Sequence, residues 1–357
     1  MAVQLKNGGS SDDRSASRWK AFMLASLLLT FLFLGFFSKP LLFADQGVHH
    51  SSSGDQDIVK KLHSQGVLNV VPDTDRPLVL YAYAHSDNAL TNLKFFVERA
   101  LHARADFVFI FNGDSDAAGL VPDHLENVRV VTRPNACFDL GAFGDVLAQD
   151  NLWLRYKRFI TLNASIRGPF LPMWSDDCWT DAFLNRITDK VKLVGLTYSC
   201  TPSPHTQSML LATDQEGMRV LMDPNLAFSV PLDTPPWGGA ELPTGFSVCY
   251  TEYSHAVHAE IGLTRLIRSQ GYEVDVMLTS VHSANVAEYC NPDKAGDADD
   301  HLKSGGYFGS NVHPYEIMFA KANRGIDDNL LSLFTAWHYQ MKNQTSWEKC
   351  SARKRRD

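Results

Sequence analysis

The sequence predicts a doubly wound α/β fold built on a mixed, mostly parallel sheet. Three observations predict it. Short apolar or β-branched runs alternate with segments of helical spacing, the pattern of a sheet with helices on its faces. The early runs each end in a polar tip: His85-Ser86-Asp87, Asn112-Gly113-Asp114, Arg133-Pro134-Asn135 and Asn163-Ala164-Ser165. The run Phe159-Ile160-Thr161-Leu162 is apolar or β-branched throughout, which suits a strand buried on both faces. Ligands of open α/β sheets bind beyond the carboxyl ends of the strands. The polar tips are therefore where a site is expected, although each tip alone also reads as an ordinary turn.

Taken in order, LVLYAYA at 78–84 is the first strand. Residues 90–101 follow with helical spacing through Leu93, Phe96, Val97 and Leu101. FVFIF at 107–111 and residues 128–131 are the next strands, and 143–149 is a helix. The central strand stops at Asn163-Ala164-Ser165, because the Gly168-Pro169 pair cannot continue it. Residues 191–197 and 207–212 are further strands, and 217–222 begins a helix. Residues 224–245 are rich in Pro and Gly and read as mobile or lid-like loops. A helix is expected over 260–269, closed by Gly271, then a strand over 274–278. Residues 291–306 read as a polar loop and 330–341 as the final helix.

A chain of 357 residues, 45% hydrophobic, is long enough for one large domain or two small ones. Its net charge of −7 argues against nucleic acid as a partner. Residues 21–37, AFMLASLLLTFLFLGFF, contain no charge. They read as a spanning helix for a thin bilayer. A cleaved signal peptide is the rival reading, but its apolar region is usually shorter and a polar stretch precedes this one. Lys6, Arg14, Arg18 and Lys20 before the span place the N-terminus in the cytosol. The rest then faces a lumen, and the basic tail at 353–356 is a solvated end. All six cysteines follow the span, where disulfides persist. None has CxxC spacing, so neither a zinc nor a redox site is expected, and the pairing is open. Glycosylation sequons stand at Asn163 and Asn343.

Four stretches carry a family resemblance: RPNACFDLG (133–141), LNASIRGPF (162–170), HTQSMLLA (205–212) and HPYEIMFAKANR (313–324). With AEIGLTRLIRSQGYEV (259–274), in this order, they resemble the GT-A class of glycosyltransferases. Within that class the chain looks like proteins similar to rhamnan synthesis protein F. The resemblance implies a GT-A-like catalytic domain over 77–340, after a cytosolic tail (1–20), an anchor (21–38) and a stem (39–76), and before a basic tail (341–357). It implies a nucleotide-sugar donor and a glycan or glycoconjugate acceptor; with the uncharged span and its basic flank, the chain is expected to be a Golgi or ER membrane protein of type II topology with a lumenal catalytic domain.

That chemistry needs a polar cradle for the nucleotide, positive charge for the leaving diphosphate and, in an inverting reaction, a carboxylate to take the acceptor proton. The donor candidates are Asp87, Asn112, Asn135, Asp139, Asn163, Ser165 and Arg167. Asp139 is favoured for its place in a Gly-bearing loop; the alternative is an Asp capping the helix after Gly141. Glu260 is the candidate base, expected to open its helix, where the macrodipole alone would also favour a carboxylate. His205, Gln207, Lys321 and Arg324 are placed on the acceptor or phosphate side. A divalent cation, Mn or Mg, is the usual cofactor of the class. Here Asn163-Ala164-Ser165 stands where most members have Asp-x-Asp, and two neutral oxygens suit a hard cation poorly. The literal Asp114-Ser115-Asp116 comes one strand early and reads as a decoy, and His313 is the candidate metal ligand. A catalytically inactive glycan- or nucleotide-binding relative is the second reading. A sulfo- or phosphosugar transferase is the weakest, because the first strand lacks a basic phosphate loop.

Overall fold

The computed structural model describes residues 75–284, 289–290, 300–342 and 344–352. The expected anchor, the stem up to residue 74, the sequon at Asn343 and the tail at 353–356 lie outside them. No helix of the described residues is long and apolar enough to cross a membrane.

The strands are β1 (Leu78–Ala84), β2 (Asp106–Asn112), β3 (Val128–Arg133), β4 (Arg158–Asn163), β5 (Ile166–Arg167), β6 (Val191–Gly195), β7 (Tyr198–Ser199), β8 (His205–Thr206), β9 (Leu210–Asp214), β10 (Glu273–Val276) and β11 (Ala320–Lys321). The α-helices are α1 (Asp87–Arg99), α2 (Asp139–Ala148), α3 (Trp179–Leu184), α4 (Gln215–Met222), α5 (Tyr253–Ser269), α6 (Thr279–Ala284), α7 (Pro314–Ile317), α8 (Asp328–Gln340) and α9 (Ser346–Ala352). A seven-stranded sheet runs β10-β6-β9-β4-β1-β2-β3. Its pairs are parallel except where β9 runs antiparallel to β4 and β6. The fold is therefore mixed α/β with a mostly parallel central sheet. The apolar strands occupy its middle: Leu78–Tyr83 and Phe107–Phe111 are buried, as the uninterrupted hydrophobic runs require.

The chain order reverses between β1 and β4, since β2 and β3 lie on one side of β1 and β4 on the other. Such a switch point opens a crevice at the carboxyl ends of the two strands. Two short ribbons lie outside the sheet, β5 with β11 and β7 with β8, each antiparallel. The first puts Lys321 opposite Ile166, so that a late segment meets the exit of the central strand.

Several boundaries differ from the sequence reading. Helix α1 starts at Asp87 because the Ser86 hydroxyl accepts from the Ala89 N–H at 3.1 Å. Helix α2 starts at Asp139, so RPNACFDLG is not a loop to its end and Gly141 is helical. Its N-cap is Phe138, and Asp139 lies in the first turn rather than capping a later helix. Helix α5 starts at Tyr253, which puts Glu260 in mid-helix, where the macrodipole argument no longer applies. The strand expected over 207–212 is β9, displaced to Leu210–Asp214, with β8 separate before it. The literal Asp-x-Asp forms a capping turn: Ser115 caps a short 3-10 helix at Asp116–Leu120, and both acids are exposed.

The described cysteines form three disulfides, Cys137–Cys249, Cys178–Cys350 and Cys200–Cys290. The first seats residues 246–249 against α2. The helix accommodates them through a missing side chain, since a Cβ on Gly144 would lie 1.8 Å from the Phe246 carbonyl oxygen. Alanine is ordinarily better than glycine inside a helix by about 1 kcal/mol. Here the sign reverses, and Gly144→Ala is expected to cost about 1–3 kcal/mol by overpacking. Thermal unfolding of Gly144→Ala beside Gly119→Ala, whose site is open, checks this; equal melting temperatures would show that segment 246–249 moves away at no cost.

Candidate functional site

The site is built at the switch point by a run of hydrogen bonds. Asn163 ends β4 and pairs with Ala82 of β1. Its amide N–H donates to Asp139 Oδ2 at 2.6 Å. Its carbonyl oxygen accepts from the Ser165 backbone N–H at 3.1 Å and from the Ser165 hydroxyl. Lys321 Nζ donates to Ser165 Oγ at 2.8 Å. Asp139, Asn163, Ser165 and Lys321 thus form one connected chain from the start of α2 to β11, and all four are half-buried.

Electrostatics follow from that burial. Burial pushes the Asp139 carboxyl up to about 6, opposed by the Asn163 hydrogen bond and the Lys321 charge and assisted by the charge of Glu260. Burial pushes the Lys321 ammonium below its ordinary value, opposed first by Glu260 and then by Asp139 and Asp300, while Arg324 pushes it further down. Shifted groups that face one another in a crevice mark a functional-site candidate.

Glu260 reaches the cluster from α5. Its Oε2 accepts from the Ser208 backbone N–H at 2.7 Å and from the Ser208 hydroxyl. Its Oε1 lies 4.0 Å from His205 Nε2. His205 Nδ1 is 2.7 Å from the Ser203 carbonyl oxygen, which only an N–H can satisfy, so Nε2 is the nitrogen turned to the carboxylate. Gln207 accepts from Thr197 Oγ1 at 2.7 Å and donates to Asp300 at 3.5 Å. Arg324 pairs with Asp300 at 2.6 Å.

Other sequence candidates lie elsewhere. The buried Arg167 donates through Nε to Asn92 Oδ1 at 2.8 Å and through NH1 to Thr335 Oγ1 at 3.0 Å, which turns it toward α1 and α8 instead of into the chain of hydrogen bonds. Asn112 accepts from Arg133 at 2.7 Å and is buried. Asn135 is exposed beside Gly113, and Asp87 is exposed in the first turn of α1. His313 caps α7, accepting from the Tyr315 N–H at 3.1 Å, and its ring packs on Phe334.

The neutral oxygens of Asn163 and Ser165 suit a divalent cation poorly. Asn163 is committed to Asp139 and Ser165, and the Lys321 ammonium lies against Ser165, where a second cation would be repelled. Among the described residues, the one group of three metal-capable side chains is His102, Cys178 and Cys350, and those cysteines are joined to each other. Sequence reasoning missed Ser208, which grips Glu260, and Asp300, which gathers Gln207 and Arg324. Ser208 was legible as the last letter of His-x-Gln-Ser; Asp300 lies in a polar stretch with no periodic signal.

No family model matches the chain. No curated protein matches it. Solved structures do resemble it, among them nucleotide-diphospho-sugar transferases. The glycosyltransferase GlyE of Streptococcus pneumoniae TIGR4 is 8% identical over 76% of this chain and 62% of its own, with a TM-score of 0.40. A mannosyltransferase of Pyrobaculum calidifontis, solved with GDP-Man and Mn2+, is 13% identical over 61% of each chain, with a TM-score of 0.33. A cytidylyltransferase of Leptospira borgpetersenii is 13% identical over 40% of this chain and 62% of its own, with a TM-score of 0.26. The match spans less than two thirds of each of these proteins. At these identities the likeness assigns no role to any residue.

Two expectations follow from the geometry. Unfolded, Asp139 titrates near 4; folded, it titrates at about 6. Below the first value both states are protonated. Between the two, ionisation favours the unfolded chain, and above the second the loss of stability is complete. The melting temperature should therefore fall relative to Asp139→Asn as pH rises through this window and stay level beyond it; a difference independent of pH would contradict the shift. Asn163, with both ends of its amide engaged, should carry no glycan despite its sequon. Peptide mass spectrometry of protein from a secretory host checks this, and a glycan on Asn163 would mean that the side chain points outward.

Proposed function

We propose that the chain is a glycosyltransferase of the nucleotide-sugar-dependent, GT-A-like kind, moving a hexosyl or deoxyhexosyl group to a glycan or glycoconjugate with inversion. The observation that carries this reading is the Asp139–Asn163–Ser165–Lys321 chain at the β1/β4 switch point, with Glu260 among its charges. Asp139 and Asn163 hold the hydroxyls of the donor. Lys321 faces the diphosphate and supplies the positive charge for which the class ordinarily uses a metal. Glu260 takes the acceptor proton on Oε1 while Ser208 holds Oε2. The acceptor oxygen forms its bond to the anomeric carbon, the bond from that carbon to the phosphate oxygen breaks, and the electron pair leaves with the diphosphate beside the ammonium. Membership among proteins similar to rhamnan synthesis protein F, suggested by the sequence motifs, belongs to this proposal.

The same reading places the protein in a Golgi or ER membrane through residues 21–38, with the catalytic domain lumenal. The uncharged span and the three disulfides support an oxidising compartment. The second reading is an inactive relative that binds a glycan or nucleotide. It is favoured by the departure from Asp-x-Asp and by the double grip of Ser208 on Glu260.

The test is release of nucleoside diphosphate from a panel of nucleotide sugars by the purified full-length chain. Turnover is expected to change by no more than about twofold in EDTA, since Asn163 and Ser165 are neutral and the Lys321 ammonium lies against Ser165. Glu260→Gln is expected to lose about 10²–10⁴ in kcat. Lys321→Ala is expected to lose about 10²–10³. Complete loss in EDTA restored by manganese would overturn the metal-free reading and make His313, Asp114 and Asp116 the first residues to mutate. Donor binding without turnover would favour the inactive relative.

A further inference from the structure

Beside the polar cluster lies an aromatic ledge with no part in the chemistry above. Phe138 and Tyr253 are 38% and 62% exposed, and their rings are 6.1 Å apart. Trp237 meets Tyr253 edge-on at 5.8 Å. Three touching aromatic rings, Phe138 and Tyr253 exposed and Trp237 partly so, make a continuous apolar surface, which marks a binding site more than isolated exposed side chains do. The ledge is held in place. Cys137 and Cys249 are bonded, and the Phe138 N–H donates to the Tyr250 carbonyl at 2.9 Å, so the two loops that present Phe138 and Tyr253 are fastened together. The loop carrying Trp237 is pinned to α5, where Thr234 Oγ1 and His258 Nδ1 are 2.8 Å apart.

Its position relates it to the cluster. Phe138 directly precedes Asp139. Tyr253 and Glu260 are seven residues apart on α5, which returns both to one helix face, about 10 Å apart along the axis. Ala256 and Val257, both partly exposed, lie between them. A pyranose ring has one face of C–H groups and a rim of hydroxyls, so it can lie on aromatic rings while its hydroxyls stay wet. The separation of about 10 Å is close to the span of two such rings.

We propose that the Phe138–Tyr253–Trp237 ledge is the acceptor subsite: it stacks an inner pyranose ring of a neutral oligosaccharide while the terminal sugar presents its hydroxyl to Glu260. The acceptor is then at least a disaccharide. This rests on the glycosyltransferase reading for the role of Glu260; the stacking itself does not.

Saturation-transfer NMR on the full-length chain tests it with cellotriose, mannotriose and galactotriose as probes and methyl glucoside as the short control. At least one trisaccharide should take saturation on its ring C–H protons, and methyl glucoside should take little. Tyr253→Ala and Trp237→Ala should lose the signal, and Tyr253→Phe should keep it. With a donor in hand, the same alanine variants should raise the KM for that trisaccharide about tenfold and leave the donor KM within about twofold. No saturation of any probe by the parent protein overturns the proposal. So does saturation of the base protons of UMP or GMP that depends on Tyr253, which would make the ledge a nucleobase site. Trisaccharide binding that depends on Tyr253 in a protein without transfer activity upholds the ledge and defeats the enzyme reading instead.

Discussion

The site depends on one ammonium group. Lys321 donates to Ser165 across a sequence separation of 156 residues, half-buried at the mouth of the sheet. A charge drawn from water must be paired or it is costly to hold. Here Glu260, Asp139 and Asp300 supply the opposite sign from three separate segments, and Arg324 adds a second positive charge. The raised Asp139 carboxyl and the lowered Lys321 ammonium are two sides of the same desolvation.

The scaffold around Lys321 is correspondingly stiff. Helix α1 carries a ladder of amides: Asn88 donates to the Ala322 carbonyl at 2.6 Å, and Asn92 donates to the Ala164 carbonyl at 2.8 Å and to Asn88 at 2.8 Å. Arg167 completes it through Asn92 and Thr335. These bonds fix both sides of the β5–β11 ribbon, the strand exit with Ser165 and the segment with Lys321. Arg167, read from sequence as a donor-binding residue, instead braces the architecture around the candidate site. A buried guanidinium with several partners is expensive to misplace, which suits a residue that sets the register of a short ribbon.

Glu260 is held by a different part of the chain. Its helix packs against β8, where the Thr206 N–H donates to Thr264 Oγ1 at 2.9 Å, and Ser208 follows directly to grip the carboxylate. Each of the four residues of the His-x-Gln-Ser segment thus makes a contact of its own. His205 faces Glu260, Thr206 docks the helix, Gln207 bridges Thr197 and Asp300, and Ser208 orients the Glu260 carboxylate.

By itself, the sequence determined the class of fold, most strand positions and the place to look. Uninterrupted apolar runs and polar tips are local signals, and a strand that ends in Asn163-Ala164-Ser165 must expose them at a sheet edge. It also carried the departure from an acidic metal motif, because ligand charge is a property of residue type. Only the tertiary structure decided which candidates meet. Lys321 joins Ser165 through an antiparallel ribbon, whereas Arg167, only two residues from Ser165, is drawn toward α1 and α8 by Asn92 and Thr335, partners that lie far away in sequence. The start of α5 at Tyr253, the pairing of the cysteines and the gathering of Gln207 and Arg324 at Asp300 were illegible for the same reason. Each depends on contacts between segments far apart in sequence, and no periodicity within a segment encodes its partner.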